Sequence, residues 1–157
     1  MSKDTDLAWL AGIMEGEGTF AIYHQKRSGR NTDQLRATIS ITNTDPSLMN
    51  KVYNVFKGMG VEMHMHEYKN KKGSTKPVYD LQTARQEYIK IVCEILVPYL
   101  FGEKRAKSEM LLRFVNKRLS RTDGRREYDN EEWNQFTSFR SSETTREAPQ
   151  GDDIVRS

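Results

Sequence analysis

Two glutamates separated by one glycine, Glu15 and Glu17, are the residues of this chain whose placement first points to chemistry. Leu7, Leu10, Ala11 and Met14 recur at helical spacing over residues 5–16, and Gly16 and Gly18 end the pattern. Both acids therefore fall at the C-terminal end of a helix. The last carbonyls there lack intrahelical partners and the helix dipole is negative, so carboxylates are locally unfavourable. A divalent cation reverses that sign. It takes a carboxylate oxygen together with a free carbonyl, hard donors that suit magnesium. The same helix carries Ala8, Gly12 and Gly16 four residues apart on one face. Glycine inside a helix costs about 1 kcal/mol relative to alanine. Small residues at this spacing let another helix approach closely, which would offset the cost. If that helix comes from a second copy, two acidic ends lie near a two-fold axis, a geometry that fits two scissile phosphates on opposite strands of a duplex. The plain alternative is an amphipathic helix with two solvated glutamates, ended by Gly18. Taken singly, these features do not decide between the two.

The elements that must position this helix end follow from periodicity and turn chemistry. Thr19–Arg27 reads as a strand and residues 28–33 as a loop. Leu35–Asn43 alternates apolar and polar residues with period two, a strand with one buried face. Asp45-Pro46 starts a helix that runs to Lys57 and stops at Gly58 and Gly60. Val61–Lys69 and Lys76–Thr83 read as a hairpin around a turn at 70–74. Thr83 and Gln86 have the spacing of a capping box opening a helix to Val97, which Pro98 breaks. Lys104–Leu119 is a further amphipathic helix, Glu131–Phe139 a short one, and residues from Ser141 onward are expected to be disordered. The helix–strand–strand unit occurs twice. The expected fold is α+β: an αββαββα core at 1–119, with a four-stranded antiparallel sheet backed by helices, and a polar C-terminal extension at 120–157.

Composition sets modest bounds. A chain of 157 residues suits one domain that needs no staple. The single cysteine, Cys93, sits among apolar neighbours and excludes an internal disulfide and a zinc site built on a Cys pair. The polar N-terminus is no signal peptide and no apolar run approaches spanning length, so an intracellular, non-secreted protein without a membrane partner is expected. Six arginines against nine acids leave residues 120–157 at −3, so residues 1–119 carry +6 of the total +3. A basic body is a modest pointer to a polyanionic partner.

The order of residues in Leu10-Ala11-Gly12-Ile13-Met14-Glu15-Gly16-Glu17-Gly18 adds what composition lacks. The stretch resembles the LAGLIDADG motif, with Glu15 and Glu17 in place of its two aspartates and Gly16 in place of its second alanine, and Thr19-Phe20 continues it. The resemblance covers residues 5–119 and is to the single-motif, homodimeric homing endonucleases. It implies that Glu17 binds the catalytic metal, that Gly16 offers its backbone carbonyl, and that Glu15 has a supporting role. It implies that Asn43, at the end of the second strand, orders water near the metal. It also implies that Lys104, in Pro98-Tyr99-Leu100-Phe101-Gly102-Glu103-Lys104, lies in the basic pocket, with Arg105 as the fallback because the match needs a one-residue slip. Ala8, Gly12 and Gly16 would be the dimer interface.

What such a protein would bind follows from the sheet's second face. It presents Tyr23, Gln25 and Arg27 on the first strand, and Gln34, Arg36, Thr38 and Ser40 on the second, with Lys69, Lys71, Lys72 and Lys76 near the second hairpin's turn. A two-stranded ribbon fits the major groove, where Arg reads guanine and Gln adenine, while lysines meet phosphates. A solvated sheet face is the alternative, and the motif favours DNA. His24, His64 and His66 read as surface or rim residues, although Met63, Met65 and Glu67 compete with the last two for the DNA phase. The expectation is a magnesium-dependent double-strand DNA endonuclease acting as a homodimer, with intron RNA as a further partner. The alternative is a non-cleaving splicing maturase or DNA-binding regulator on the same fold. The retained Glu17 favours the enzyme.

Overall fold

A computed structural model describes residues 3–26, 33–69, 76–122 and 127–147. The expectations for Arg27, Lys71, Lys72, the two hairpin turns and the last ten residues lie outside that range. Along the chain come α1 (Lys3–Glu17), β1 (Gly18–Gln25), β2 (Gln34–Asn43), α2 (Pro46–Gly58), β3 (His64–Lys69), β4 (Pro77–Thr83), α3 (Gln86–Leu96), a 3-10 turn at Val97–Tyr99, α4 (Gly102–Ser120) and α5 (Asn130–Glu147). The fold is α+β, as the paired helix–strand–strand units imply.

The four strands form one antiparallel sheet in the order β1-β2-β4-β3, so the two hairpins join through β2 and β4. Register sorts the two faces, because directly paired residues point the same way. Phe20 pairs with Ile39, Ile22 with Ala37, Ile41 with Leu81 and Leu81 with Met65, and this set faces the helices. One continuous core joins it to Leu10 and Met14 of α1, Phe56 of α2, Val92 of α3, Phe114 of α4 and Phe139 of α5. β3 begins only at His64, yet Val61 and Met63 before it are buried. Their apolar character comes from packing, not from strand pairing.

Three local expectations need correction. Thr83 and Gln86 form no capping box: α3 is capped at Arg85 without a side-chain bond, and Thr83 Oγ1 instead accepts the Arg85 N–H at 3.2 Å. Thr83 is still paired in β4, so it sits two residues too early to cap. Second, α4 starts at Gly102, two residues before Lys104, with Gly102 at φ +56°, a conformation glycine adopts at little cost. Third, α5 continues to Glu147, well past Ser141. Its start is a reciprocal cap, with the Glu132 N–H donating to Asp129 Oδ1 at 2.9 Å and the Asp129 N–H to Glu132 Oε1 at 3.0 Å. Glu132 is fully buried, and Arg118 and Arg121 converge on it at 3.0 and 2.6 Å. Trp133 and Phe136 meet the His24 ring edge-on beneath the β1–β2 hairpin, and the Tyr128 hydroxyl donates to the Leu35 carbonyl at 2.8 Å. The C-terminal segment thus props the first hairpin.

Candidate active site

The end of α1 and the start of β1 are continuous, because Glu17 closes the helix and Gly18 opens the strand. Gly18 is required there: a Cβ would run into the Met14 side chain and lie 2.9 Å from the Met14 Cα. The tight exit leaves Glu17 exposed at the rim of the sheet.

Asn43 reaches it from the far end of β2. Its Nδ2 donates to Glu17 Oε2 at 2.6 Å, while its Oδ1 accepts the Asp45 N–H at 2.8 Å. Asp45 in turn caps α2, accepting from the Ser47 and Leu48 N–H groups at 2.9 and 3.3 Å, with Pro46 in the first turn. The acceptor contact to Asp45 fixes which side of the amide is oxygen, and so which side meets the carboxylate. The Asp45-Pro46 helix start, legible in the sequence, therefore aims Asn43 at Glu17.

Lys104 arrives from α4. Its ammonium donates to the Gly18 carbonyl, next to Glu17. No basic residue stands in the last turn of α1, so this cation from another element meets the negative end of the helix. Arg105, the fallback position, points elsewhere and pairs with Glu109 at 3.1 Å. Glu15 does not share the role of Glu17: its Oε1 accepts the Phe101 N–H at 2.9 Å. Asn43 and Lys104 thus contact the adjacent residues Glu17 and Gly18 at the α1–β1 junction, while Glu15 is turned toward the α4 junction.

Ala8, Gly12 and Gly16 line up on an exposed face of α1, opposite the buried Leu7, Leu10, Ala11 and Met14. A Cβ built on Gly12 or Gly16 would meet nothing within 4 Å, so nothing among the described residues explains their smallness.

The strand register places most of the expected polar residues on one sheet face. Tyr23 pairs with Arg36, Gln25 with Gln34 and Thr19 with Ser40. Thr38 shares the phase but is buried, only 7% exposed, and does not present itself to a ligand. Lys69 pairs with Pro77 in the helix-side phase, and Lys76 is exposed just before β4. The sequence left the β3 phase open, and the register settles it. Met63 is buried and Met65 opposes Leu81, whereas His64 and His66 pair with Gln82 and Asp80 on the polar face. Ser40 pairs with Gln82 and Thr42 with Asp80, so Asp80 and Gln82 belong to this face too. Alternation about Leu81 was the signal that could have found them. Arg36, His64, His66, Gln82, Arg85 and Tyr88 line a cleft of about 380 Å³ there. His24 lies on the opposite face, bonded through Nε2 to Asp33 at 2.7 Å. Among the described residues no three His, Cys, Asp or Glu cluster as a metal site, and no helix is long and apolar enough to cross a membrane.

Comparison with known proteins bears on this arrangement. No curated protein sequence matches the chain. Among solved structures, it superposes on the homing endonuclease I-CvuI in complex with the I-CreI target, with a TM-score of 0.60 and 18% identity over 77% of this chain and 72% of that one. It superposes on the LAGLIDADG homing endonuclease I-GzeII in complex with its DNA target with a TM-score of 0.65 and 22% identity, over 87% of this chain but only 44% of that one. The group I intron-encoded homing endonuclease I-CeuI, complexed with DNA, gives 0.57 and 17% identity over 71% and 54%. At such identities the likeness establishes the fold. The sequence profile described as LAGLIDADG endonuclease matches residues 10–113, which include the acidic helix end, Asn43 and Lys104, and the chain belongs to that family.

Proposed function

We propose that this chain is a site-specific double-strand DNA endonuclease that acts as a homodimer and hydrolyses phosphodiester bonds with a divalent metal, magnesium foremost. The observation that carries the reading is that Asn43 bonds the exposed Glu17 carboxylate and Lys104 the carbonyl of the next residue, Gly18, at the end of the motif helix, on the rim of a polar sheet face.

The donor chemistry suits a hard cation. Glu17 offers an exposed carboxylate and Gly16 a carbonyl in the last helical turn, where intrahelical partners run out. Magnesium is usually held by one or two carboxylates and completes its shell with water and phosphate oxygens. When bound, such an ion would neutralise the phosphodiester and lower the pKa of a water. Glu17 and Gly16 would hold it, and Asn43 orients the Glu17 carboxylate. The Lys104 ammonium would stabilise negative charge that develops beside the helix end. Tyr23, Gln25, Gln34, Arg36 and Ser40 would face base edges, with His64, His66 and Gln82 extending that surface. Lys76 would meet backbone phosphates, which makes binding salt-sensitive, whereas Lys69 belongs to the helix-side phase and falls outside that surface. Ala8, Gly12 and Gly16 would seat the same helix of a second copy, bringing a second Glu17 to the other DNA strand.

The test is cleavage of a randomised double-stranded DNA library with magnesium, with calcium, and with Glu17→Ala, the cut ends being sequenced. One near-palindromic site, cut with magnesium and lost in the variant, is the expected result. Specific retention of DNA without cutting under all three conditions would overturn the enzyme and leave a binding protein or maturase.

A further inference from the structure

The two motif glutamates are only two residues apart, yet they serve different partners. Glu17 takes the Asn43 amide, while Glu15 accepts the N–H of Phe101, 86 residues further along. Phe101 is the residue before the first turn of α4, and no side chain caps that helix. The N-terminal end of a helix carries unpartnered N–H groups and positive potential, so a carboxylate from outside is favoured there. The return contact runs the other way. Lys104, the third residue of α4, gives its ammonium to the Gly18 carbonyl just past the end of α1. Each helix end thus receives a group of favourable charge from the other element: α1 has no basic residue of its own in its last turn, and α4 adds Glu15 to the Glu103 of its own first turn. Between the two contacts lies Gly102 at φ +56°, a sharp bend whose direction the flanking contacts must hold.

We propose that Glu15 is a positioning residue: by holding the Phe101 amide it sets where α4 begins, and so where Lys104 reaches the end of α1. The catalytic consequence rests on the proposed endonuclease activity, but the mechanical link exists in the free protein and is tested there first. Glu15→Ala removes the acceptor. Glu15→Gln keeps an acceptor oxygen and removes the charge.

The free protein and both variants are labelled with a trace of an amine-reactive reagent, and Lys104 modification is read by mass spectrometry against Lys57, an exposed-helix reference. Lys104 labelling is expected to rise in Glu15→Ala and to stay near the parent value in Glu15→Gln. On DNA recovered from the library, single-turnover cleavage by Glu15→Ala is expected to fall about 10–100-fold, as for a catalytic group displaced by roughly 1 Å. Its DNA affinity should be unchanged, and Glu15→Gln should recover most of the rate. A loss of fold alone would lower the active fraction without this split between rate and affinity. Unchanged Lys104 labelling in Glu15→Ala would overturn the proposal. So would equal loss of rate in the two variants, which would make the Glu15 charge itself the requirement. If the parent chain cuts no DNA, the endonuclease reading fails, and the labelling experiment alone still decides the role of Glu15.

Discussion

Replacing Glu132 with alanine removes the charged residue on which the C-terminal segment is built. Its carboxylate is fully buried, accepts from Arg118 and Arg121 at 3.0 and 2.6 Å, and also takes the Asp129 N–H at 3.0 Å. Breaking a buried ion pair by deleting one partner costs about 3–5 kcal/mol, because the remaining charge is left uncompensated. Loss of the reciprocal cap adds about 1 kcal/mol. Two features hold the total down. Arg121 keeps the Glu127 carbonyl at 2.8 Å, and the Arg118 guanidinium lies 4.3 Å from the Tyr128 ring centroid. The expected loss is therefore about 3 kcal/mol, with Glu132→Gln costing about half as much since it keeps the acceptor. Urea unfolding at fixed protein concentration measures it. The chain has two tryptophans, so a Trp9→Phe background makes Trp133 fluorescence a reporter of α5 alone. Because Trp133 and Phe136 support His24 under the first hairpin, DNA affinity should fall in Glu132→Ala while cleavage at saturating DNA persists. A stability loss below about 1 kcal/mol would refute the reasoning, showing that the arginines are solvated and α5 is not clamped.

Other consequences are as direct. Burial pushes the Cys93 thiol from 9.0 up to about 12, so above pH 9 the unfolded chain ionises first and stability should fall by about 1.4 kcal/mol per pH unit; Cys93→Ala should flatten that slope in alkaline denaturation curves. Gly18→Ala should cost about 1–3 kcal/mol in thermal or urea unfolding, since its Cβ would press on the Met14 Cα at 2.9 Å; full parental stability would show that α1 and β1 can part without cost. A Cβ at Gly12 meets nothing within 4 Å among the described residues and Gly12→Leu gains helix propensity, so the variant should be as stable as the parent or more so while the proposed dimer sediments as a monomer; a persisting dimer would place the interface elsewhere.

The legible parts of the fold are those written in local pattern. Period two in β2 gave its buried face, and Asp45-Pro46 gave the α2 start, because each is settled by residues within a few positions. The β3 phase was not legible. Met63, Met65 and Glu67 alternate as well as His64, His66 and Tyr68 do, and only pairing with Leu81 decides between them. The separate duties of Glu15 and Glu17 were hidden for a similar reason, since the Phe101 amide that claims Glu15 is remote in sequence. Residues 120–147 read as a polar tail because their acids and arginines looked like surface charge. Glu132 among them is buried because it meets Arg118 of α4 and Arg121 just past the end of that helix, a convergence that no periodicity announces.

The division of labour between the glutamates has a consequence for assembly. With Glu15 held by the Phe101 amide, one chain brings one exposed carboxylate to the end of α1. Among the described residues no second His, Cys, Asp or Glu pair completes a metal cluster around it. In the proposed mechanism an ion held there would draw its remaining ligands from the Gly16 carbonyl, water, DNA and a second copy of the chain. The uncovered Ala8–Gly12–Gly16 face runs along the same helix directly into that point. Metal binding and dimer formation are therefore coupled through a single helix end in the proposed mechanism. A chain held monomeric by Gly12→Leu should lose magnesium-dependent cutting of both strands even though Glu17, Asn43 and Lys104 are intact. Nicking of one strand by such a monomer, at the parental rate, would show instead that each chain carries a complete site.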